Sequence, residues 1–207
     1  MALIKGLKGI QKASERKGGG ARFLSLKDGE SVRIRFLQEL DEESPNYNEE
    51  AGLGFLAVEW RDPDNFRKRA LDTSDEGACW MAEQSQVDNR WRPRTSLYIN
   101  VLDVDSGEVK ILNQGMGPKS VVPWLVEYAG EVGTITGQAF KMKRTGSGMT
   151  DTQYTLTPAG APDSEPYDVT QHELVDLEKV ISYVPYEQQK EFFLGDKDAS
   201  TSSDEDW

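Results

Sequence analysis

Aromatic rings and cations sit side by side three times in one stretch of this chain: Trp60-Arg61, then Phe66-Arg67-Lys68-Arg69, then Arg90-Trp91-Arg92-Pro93-Arg94. Single-stranded nucleic acid offers phosphates at regular spacing and bases without a partner strand. Its binders therefore interleave positive side chains with flat rings, each stacked base contributing about 1–3 kcal/mol. The competing reading puts the rings in a core and lets the arginine stems snorkel to solvent or pair with the surrounding Asp and Glu. The stretch lacks core periodicity, which favours the nucleic-acid reading, and Tyr98 in the next strand joins the set.

A second group of cations has the period of a strand. Arg33 and Arg35 alternate with Val32, Ile34 and Phe36, Lys110 lies in a later strand, and Lys141 and Lys143, followed by Arg144, alternate with Phe140 and Met142. Cations repeating every second residue on one sheet face would track a phosphate backbone, although lysine and arginine are also routine on exposed strand faces. The C-terminal Asp204-Glu205-Asp206-Trp207 joins acids to a terminal ring. It reads as a partner-binding tail that also competes with nucleic acid for a basic groove, against the plainer reading of a solubilising tail.

Catalytic signals are sparse. One cysteine, Cys79, and one histidine, His172, supply neither a disulfide nor a four-ligand zinc site. Asp62-Pro63-Asp64 and Asp103-Val104-Asp105 have the chemistry for a hard cation, but beside turns Asp is favoured for local hydrogen bonding. Gly115-Met116-Gly117 and Gly146-Ser147-Gly148 lack the strand-to-helix setting of a phosphate-cradling loop and read as turns. No metal, no cofactor and no enzymatic activity is expected.

The elements that must position these residues follow from the pattern. In 207 residues with net charge -12, residues 1–22 carry +5, residues 196–207 carry -4 and the middle carries -13. The N-terminal stretch is too polar for a secretory signal and no apolar run is long enough to span a membrane, so the expected compartment is cytoplasmic. Residues 1–22 form a basic arm with Leu3, Ile4, Leu7 and Ile10, closed by Gly18-Gly19-Gly20. Residues 23–165 form the main domain, with 61–94 as an inserted loop or subdomain, because structureless connections of that length are uncommon. Strands are expected at Ser31–Leu37, Gly54–Trp60, Ser96–Val104, Glu108–Leu112, Gln138–Arg144 and Asp151–Thr157, with a helix from Lys119 to Ala129 that stops at Gly130. A helix before the last strand pair is the order of a mainly β, five-stranded Greek-key barrel of the OB type with one extra short strand. An open sandwich is the alternative. Beyond the proline-rich linker, residues 166–195 read as a helical extension, with a capping box at Thr170-Gln171-His172-Glu173 and one apolar face through Leu174, Leu177, Ile181 and Val184. Residues 196–207 form the acidic tail.

The segment Leu26-Lys27-Asp28-Gly29-Glu30-Ser31-Val32-Arg33-Ile34-Arg35-Phe36-Leu37, the run Phe140 to Gly148 followed by Asp151-Thr152-Gln153-Tyr154, and the acidic, aromatic-ended tail resemble phage single-stranded DNA-binding proteins of the T-even helix-destabilising type. The resemblance covers roughly Phe23 to Pro158 and the last ten residues. It implies an OB fold, a cleft of aromatic and basic side chains, an arm for cooperative self-association, a tail that recruits replication and recombination proteins, and work inside an infected bacterial host. The family's best-known member holds a zinc subdomain where residues 61–94 stand here. With only Cys79 in that region the zinc site is not carried over, which leaves Trp80, Trp91 and their neighbours to hold the segment without metal. The function expected is sequence-tolerant coating of single-stranded DNA in replication, recombination or repair. An acidic DNA mimic that inhibits a host protein is the alternative, and a nuclease would require Asp62, Asp64, Asp103 and Asp105 to converge on a metal.

Overall fold

The computed structural model describes residues 23–148 and 150–201, the last six in backbone only. The basic arm and the residues from Ser202 to Trp207 lie outside the described residues. The chain is mainly β. Strands run at β1 (Ser31–Phe36), β2 (Phe55–Arg61), β3 (Arg69–Leu71), β4 (Pro93–Asp103), β5 (Val109–Gly115), β6 (Ala139–Thr145) and β7 (Gln153–Pro158). Helices are α1 (Trp80–Ser85), α2 (Val122–Val132) and α3 (Tyr186–Thr201). The strands pair in the order β3-β2-β4-β1-β6-β7 with β5 on β4, and this pairing does not close into a barrel.

Two compact units divide the chain. The first takes the residues up to Phe55 and Leu97–Leu177; the second takes Leu56–Ser96 and the chain from Glu178 onward.

In the first unit, the alternation of β1 does what its spacing predicts. Ile34 and Phe36 are fully buried, while Arg33 and Arg35 take the opposite face. Leu97, Ile99 and Val101 of β4, Phe140 and Met142 of β6 and Leu156 of β7 complete the same core, and α2 lays Val122 and Leu125 over it. Phe140 is the centre of a ring cluster, edge-on to Phe36, Trp124 and Tyr128 at 5.5, 6.0 and 5.3 Å. Pro123 is tolerated in the first turn of α2, where its missing N–H has no intrahelical partner to lose. The helix runs past Gly130 and stops at Gly133, whose φ of 85° supplies the left-handed cap and whose N–H bonds Ala129 O at 2.8 Å. Buried Glu39, just beyond β1, ties the α2–β6 connection down by accepting from Ile135 N and Thr136 N, both at 3.1 Å, and from the hydroxyls of Thr134 and Thr136. A buried carboxylate with four donors meets the requirement that polar groups in a core be satisfied.

The second unit has a core of Trp60, Ala70, Cys79, Trp80, Met81, Trp91, Val184 and Phe193. Trp80 lies parallel to Phe193 at 6.2 Å, and Trp91 meets both edge-on at 5.5 and 5.2 Å. The stretch expected to be irregular therefore contains β3 and α1, and an aromatic box packs it. Cys79 offers no side-chain cap to α1; instead the buried Trp80 N–H, which has no intrahelical acceptor, donates to Oε1 of buried Gln189 at 2.7 Å, and the Gln189 amide reaches Thr73 Oγ1 and Val184 O, each at 2.9 Å.

The helical face expected through Leu174, Leu177, Ile181 and Val184 is not helical. Only short 3₁₀ turns occur, at Val169–Gln171 and Glu178–Val180, and the helix starts after Pro185. Side chains, one local and one distant, take the backbone groups that an α-helix would use. The Asp168 carboxylate accepts from Thr170 N at 3.0 Å, and Asn100, 75 residues away, bonds both the N–H and the carbonyl of Val175 at 3.1 and 3.0 Å. Leu177, Ile181 and Val184 are buried all the same.

Candidate nucleic-acid interface

In the first unit, pairing of β1 with β6 sets Arg33 opposite Lys141 and Ser31 opposite Lys143, and pairing of β6 with β7 sets Thr157 beside Lys141 and Thr155 beside Lys143. Residues opposite one another in an antiparallel ladder share a face. Arg33, Lys141 and Lys143 thus form a cationic patch on the face away from the core, edged by Ser31, Thr155 and Thr157. All six are exposed. Lys141 and Lys143 have no ion pair to a described residue. Arg33 meets Asp105 at 2.7 Å, with both side chains more than half in water, a pair worth little. Alternation alone does not place Thr155 and Thr157 beside these lysines; the β6–β7 register does.

The other first-unit cations are committed within the fold. Arg35 donates to Thr136 O and to the Asp163 carboxylate, and the Tyr167 ring lies 4.3 Å from its guanidinium carbon. Arg144 turns to the backbone, donating to Leu26 O at 2.8 Å, Gly146 O at 3.2 Å and Thr152 Oγ1 at 3.2 Å. It braces the β6–β7 turn, where Gly146 is required: φ is 90° and an added Cβ would lie 2.4 Å from Asp151 O. Lys110 is shared between Asp103 at 2.8 Å and Glu108 at 3.4 Å.

Burial works to raise the Asp103 carboxyl, but the Lys110 ammonium and the Ser106 donors together hold it below its ordinary value. A carboxyl lowered by folding contributes stability that is complete above its unfolded value, about 3.9, and is lost as the pH falls through the lower folded value. Thermal melts from about pH 6 to about pH 2 should therefore show an acid-sensitive component that Lys110→Gln reduces. Identical pH profiles for the two proteins would assign the acid sensitivity to other groups.

In the second unit the rings expected to stack on bases are not available. Trp60 and Trp91 are 4% and 6% exposed, and both belong to its core; Tyr98, which lies in the first unit, is 0% exposed and stacks on Phe55 at 6.1 Å. A ring enclosed on both faces cannot receive a base, so the reading of these three as stacking platforms is corrected to a packing role. Around them Arg69 pairs with fully buried Glu59 at 3.7 Å, Arg90 is held by Asp88 at 2.8 Å and Asp64 at 2.9 Å, and Arg92 donates to Asn89 O at 3.0 Å. Arg61 and Lys68 are half-buried and also partnered. Phe66 is 55% exposed in the β2–β3 turn, next to exposed Arg67, and Arg94 is exposed on β4. One of the three ring-and-cation pairs, Phe66 with Arg67, thus survives at the surface.

The paired acids serve turns. Asp62 Oδ1 accepts from Asp64 N at 2.8 Å, and Asp103 Oδ1 from Asp105 N at 3.2 Å. Among the described residues no group of three or more His, Cys, Asp or Glu is placed to hold a metal ion, and no helix is long and apolar enough to cross a membrane. The partner-binding set Asp204, Glu205, Asp206 and Trp207 lies outside the described residues. The chain matches no family model, no curated protein and no solved structure.

Proposed function

We propose that the protein is a non-enzymatic, sequence-tolerant single-stranded DNA-binding protein of the phage helix-destabilising kind, acting in replication, recombination or repair in an infected bacterial cell. The observation that carries this reading is the exposed patch of Arg33, Lys141 and Lys143, spaced by strand register and bordered by hydroxyls. Phosphates need point charges and hydrogen-bond donors, and the patch supplies both. Connectivity supports an OB-type ancestry: β1 pairs with both β4 and β6, β5 joins β4, α2 lies between β5 and β6, and β6 pairs with β7. Those are the neighbours of a five-stranded OB barrel without its closing contact, and the OB face is a recurrent oligonucleotide surface. The basic arm would provide self-association and the acidic tail would recruit replication or recombination proteins.

The test is a titration of fluorescently labelled oligo-dT across a range of salt. Affinity should fall with a log-log slope of about -0.7 per phosphate engaged. Label anisotropy is the right readout, because buried Trp60 and Trp91 give intrinsic fluorescence no direct contact with the strand. Absence of binding at low salt would sink the proposal and favour the acidic mimic. A second outcome concerns the tail. Residues 196–207, at net -4, comprise the last six residues of α3 and the six beyond it, and their attachment to the body holds them at an effective concentration on the order of millimolar. Deleting them should tighten oligo-dT binding, most at low salt where the Debye length is longest, and equal affinities with and without the tail would end that competition.

A further inference from the structure

Between β7 and the end of the first unit the chain changes character. From Asp163 to Asp176 it carries five carboxylates, Asp163, Glu165, Asp168, Glu173 and Asp176, and no lysine or arginine. Its two rings, Tyr167 and His172, stack with centroids 5.8 Å apart and planes 15° from parallel, the Tyr167 hydroxyl 2.7 Å from His172 Nε2. Spaced anions alongside stacked rings are the chemistry of a single nucleic-acid strand.

This segment lies on the outer face of β1 and β4. Arg35 and Leu102 are opposite one another in register, so they share that face, and the segment covers both. The two Asp163 oxygens accept from Nη1 and Nη2 of Arg35, and Tyr167 packs over the same guanidinium. Val169 is buried against Leu37 and Leu102, with Leu174 beside them, and Asn100 holds both backbone groups of Val175. Arg35 is thus surrounded by an anion in fork geometry and a ring over its plane, the two things a nucleotide would bring to it.

We propose that residues 163–177 are an internal strap that imitates a single strand and occupies the β1–β4 part of the binding face, and that single-stranded DNA displaces it. The proposal rests on the single-stranded DNA reading above. Its anchors can be exchanged for those of a strand: phosphate replaces the Asp163 carboxylate, and a base replaces Tyr167. Within 163–177 the buried side chains are Val169 and Leu177, so the apolar area that opposes release is confined to the middle and the C-terminal end of the strap. Arg35 lies two residues along β1 from Arg33 on the same face, so lifting the strap would add it to the exposed patch of Arg33, Lys141 and Lys143 and lengthen the track.

The test uses the full-length chain and the variant Asp163→Asn with Tyr167→Ala, each titrated with labelled oligo-dT at low salt. Amide exchange at Val175 is followed in the wild type with and without the oligonucleotide. The variant should bind about tenfold more tightly, the equivalent of one charge-assisted contact no longer in competition. Adding Arg35→Ala should abolish that gain, because the freed guanidinium is what receives phosphate. Exchange at Val175 should accelerate when the wild type binds, a readout that requires no variant to fold. Equal affinities, or a Val175 amide that stays equally protected, overturns the strap. Failure of both proteins to bind oligo-dT overturns the DNA-binding reading itself.

Discussion

Trp91→Ala is expected to lower folding stability by about 3–5 kcal/mol, the usual cost of removing a buried aromatic side chain. Trp91 is 6% exposed and contacts Trp80 and Phe193 edge-on, so its loss leaves a void that neither neighbour fills without leaving its own partner. Among the described residues no group of three or more His, Cys, Asp or Glu is placed to hold a metal ion, and Cys79 is a free, buried thiol, so the packing of the rings is what the box rests on. Phe66→Ala is the contrasting variant. At 55% exposure it should change stability by about 0.5 kcal/mol or less, while weakening oligo-dT binding if its ring receives a base. Denaturant unfolding followed by near-ultraviolet circular dichroism, with anisotropy titrations of both variants, separates the two roles. A Trp91→Ala protein that melts like wild type but binds weakly would restore the stacking role that burial denies it.

The contrast between these rings shows what the sequence made legible. Where a strand is covered on one face, alternation speaks: Val32, Ile34 and Phe36 against Arg33 and Arg35 predict β1 and its outward cations, and Phe140 and Met142 do the same for β6. The core of the second unit has no such period, because β2, α1 and a helix more than one hundred residues later contribute to it, with Gln189 reaching back across 109 positions to Trp80. Rings gathered from loops look like rings gathered for a ligand. The three-four spacing of Leu174, Leu177, Ile181 and Val184 misleads for a related reason. It satisfies a helical period, but the deciding partner is Asn100, in a strand far away in sequence. Ion pairing was equally hidden: Arg35, Arg90 and Lys110 read as free cations until the fold brings Asp163, Asp64 and Asp103 to them.

Replacing Lys141 and Lys143 together by glutamine should weaken oligo-dT binding at low salt by about tenfold or more and flatten the salt dependence by about 1.4, two phosphates at about 0.7 each. The magnitude follows from their setting. Both side chains are exposed, both lie on the face away from the core, and neither is neutralised by a described carboxylate, so each is available to displace a condensed counterion. For the same reason the fold should hardly notice their loss, surface substitutions of this kind usually falling within about 0.5 kcal/mol. Arg33→Gln should act in the same direction with about half the effect on slope, after first giving up a weak exposed pair with Asp105. Lys110→Gln is the internal control. Its ammonium is engaged by Asp103 and Glu108, so its removal should alter acid stability and leave the salt slope where it was. An unchanged slope in the Lys141 and Lys143 variant, with folding intact, would place the binding surface away from β6. Lost affinity at constant slope would mean that these lysines act by shaping the sheet and not by holding phosphate.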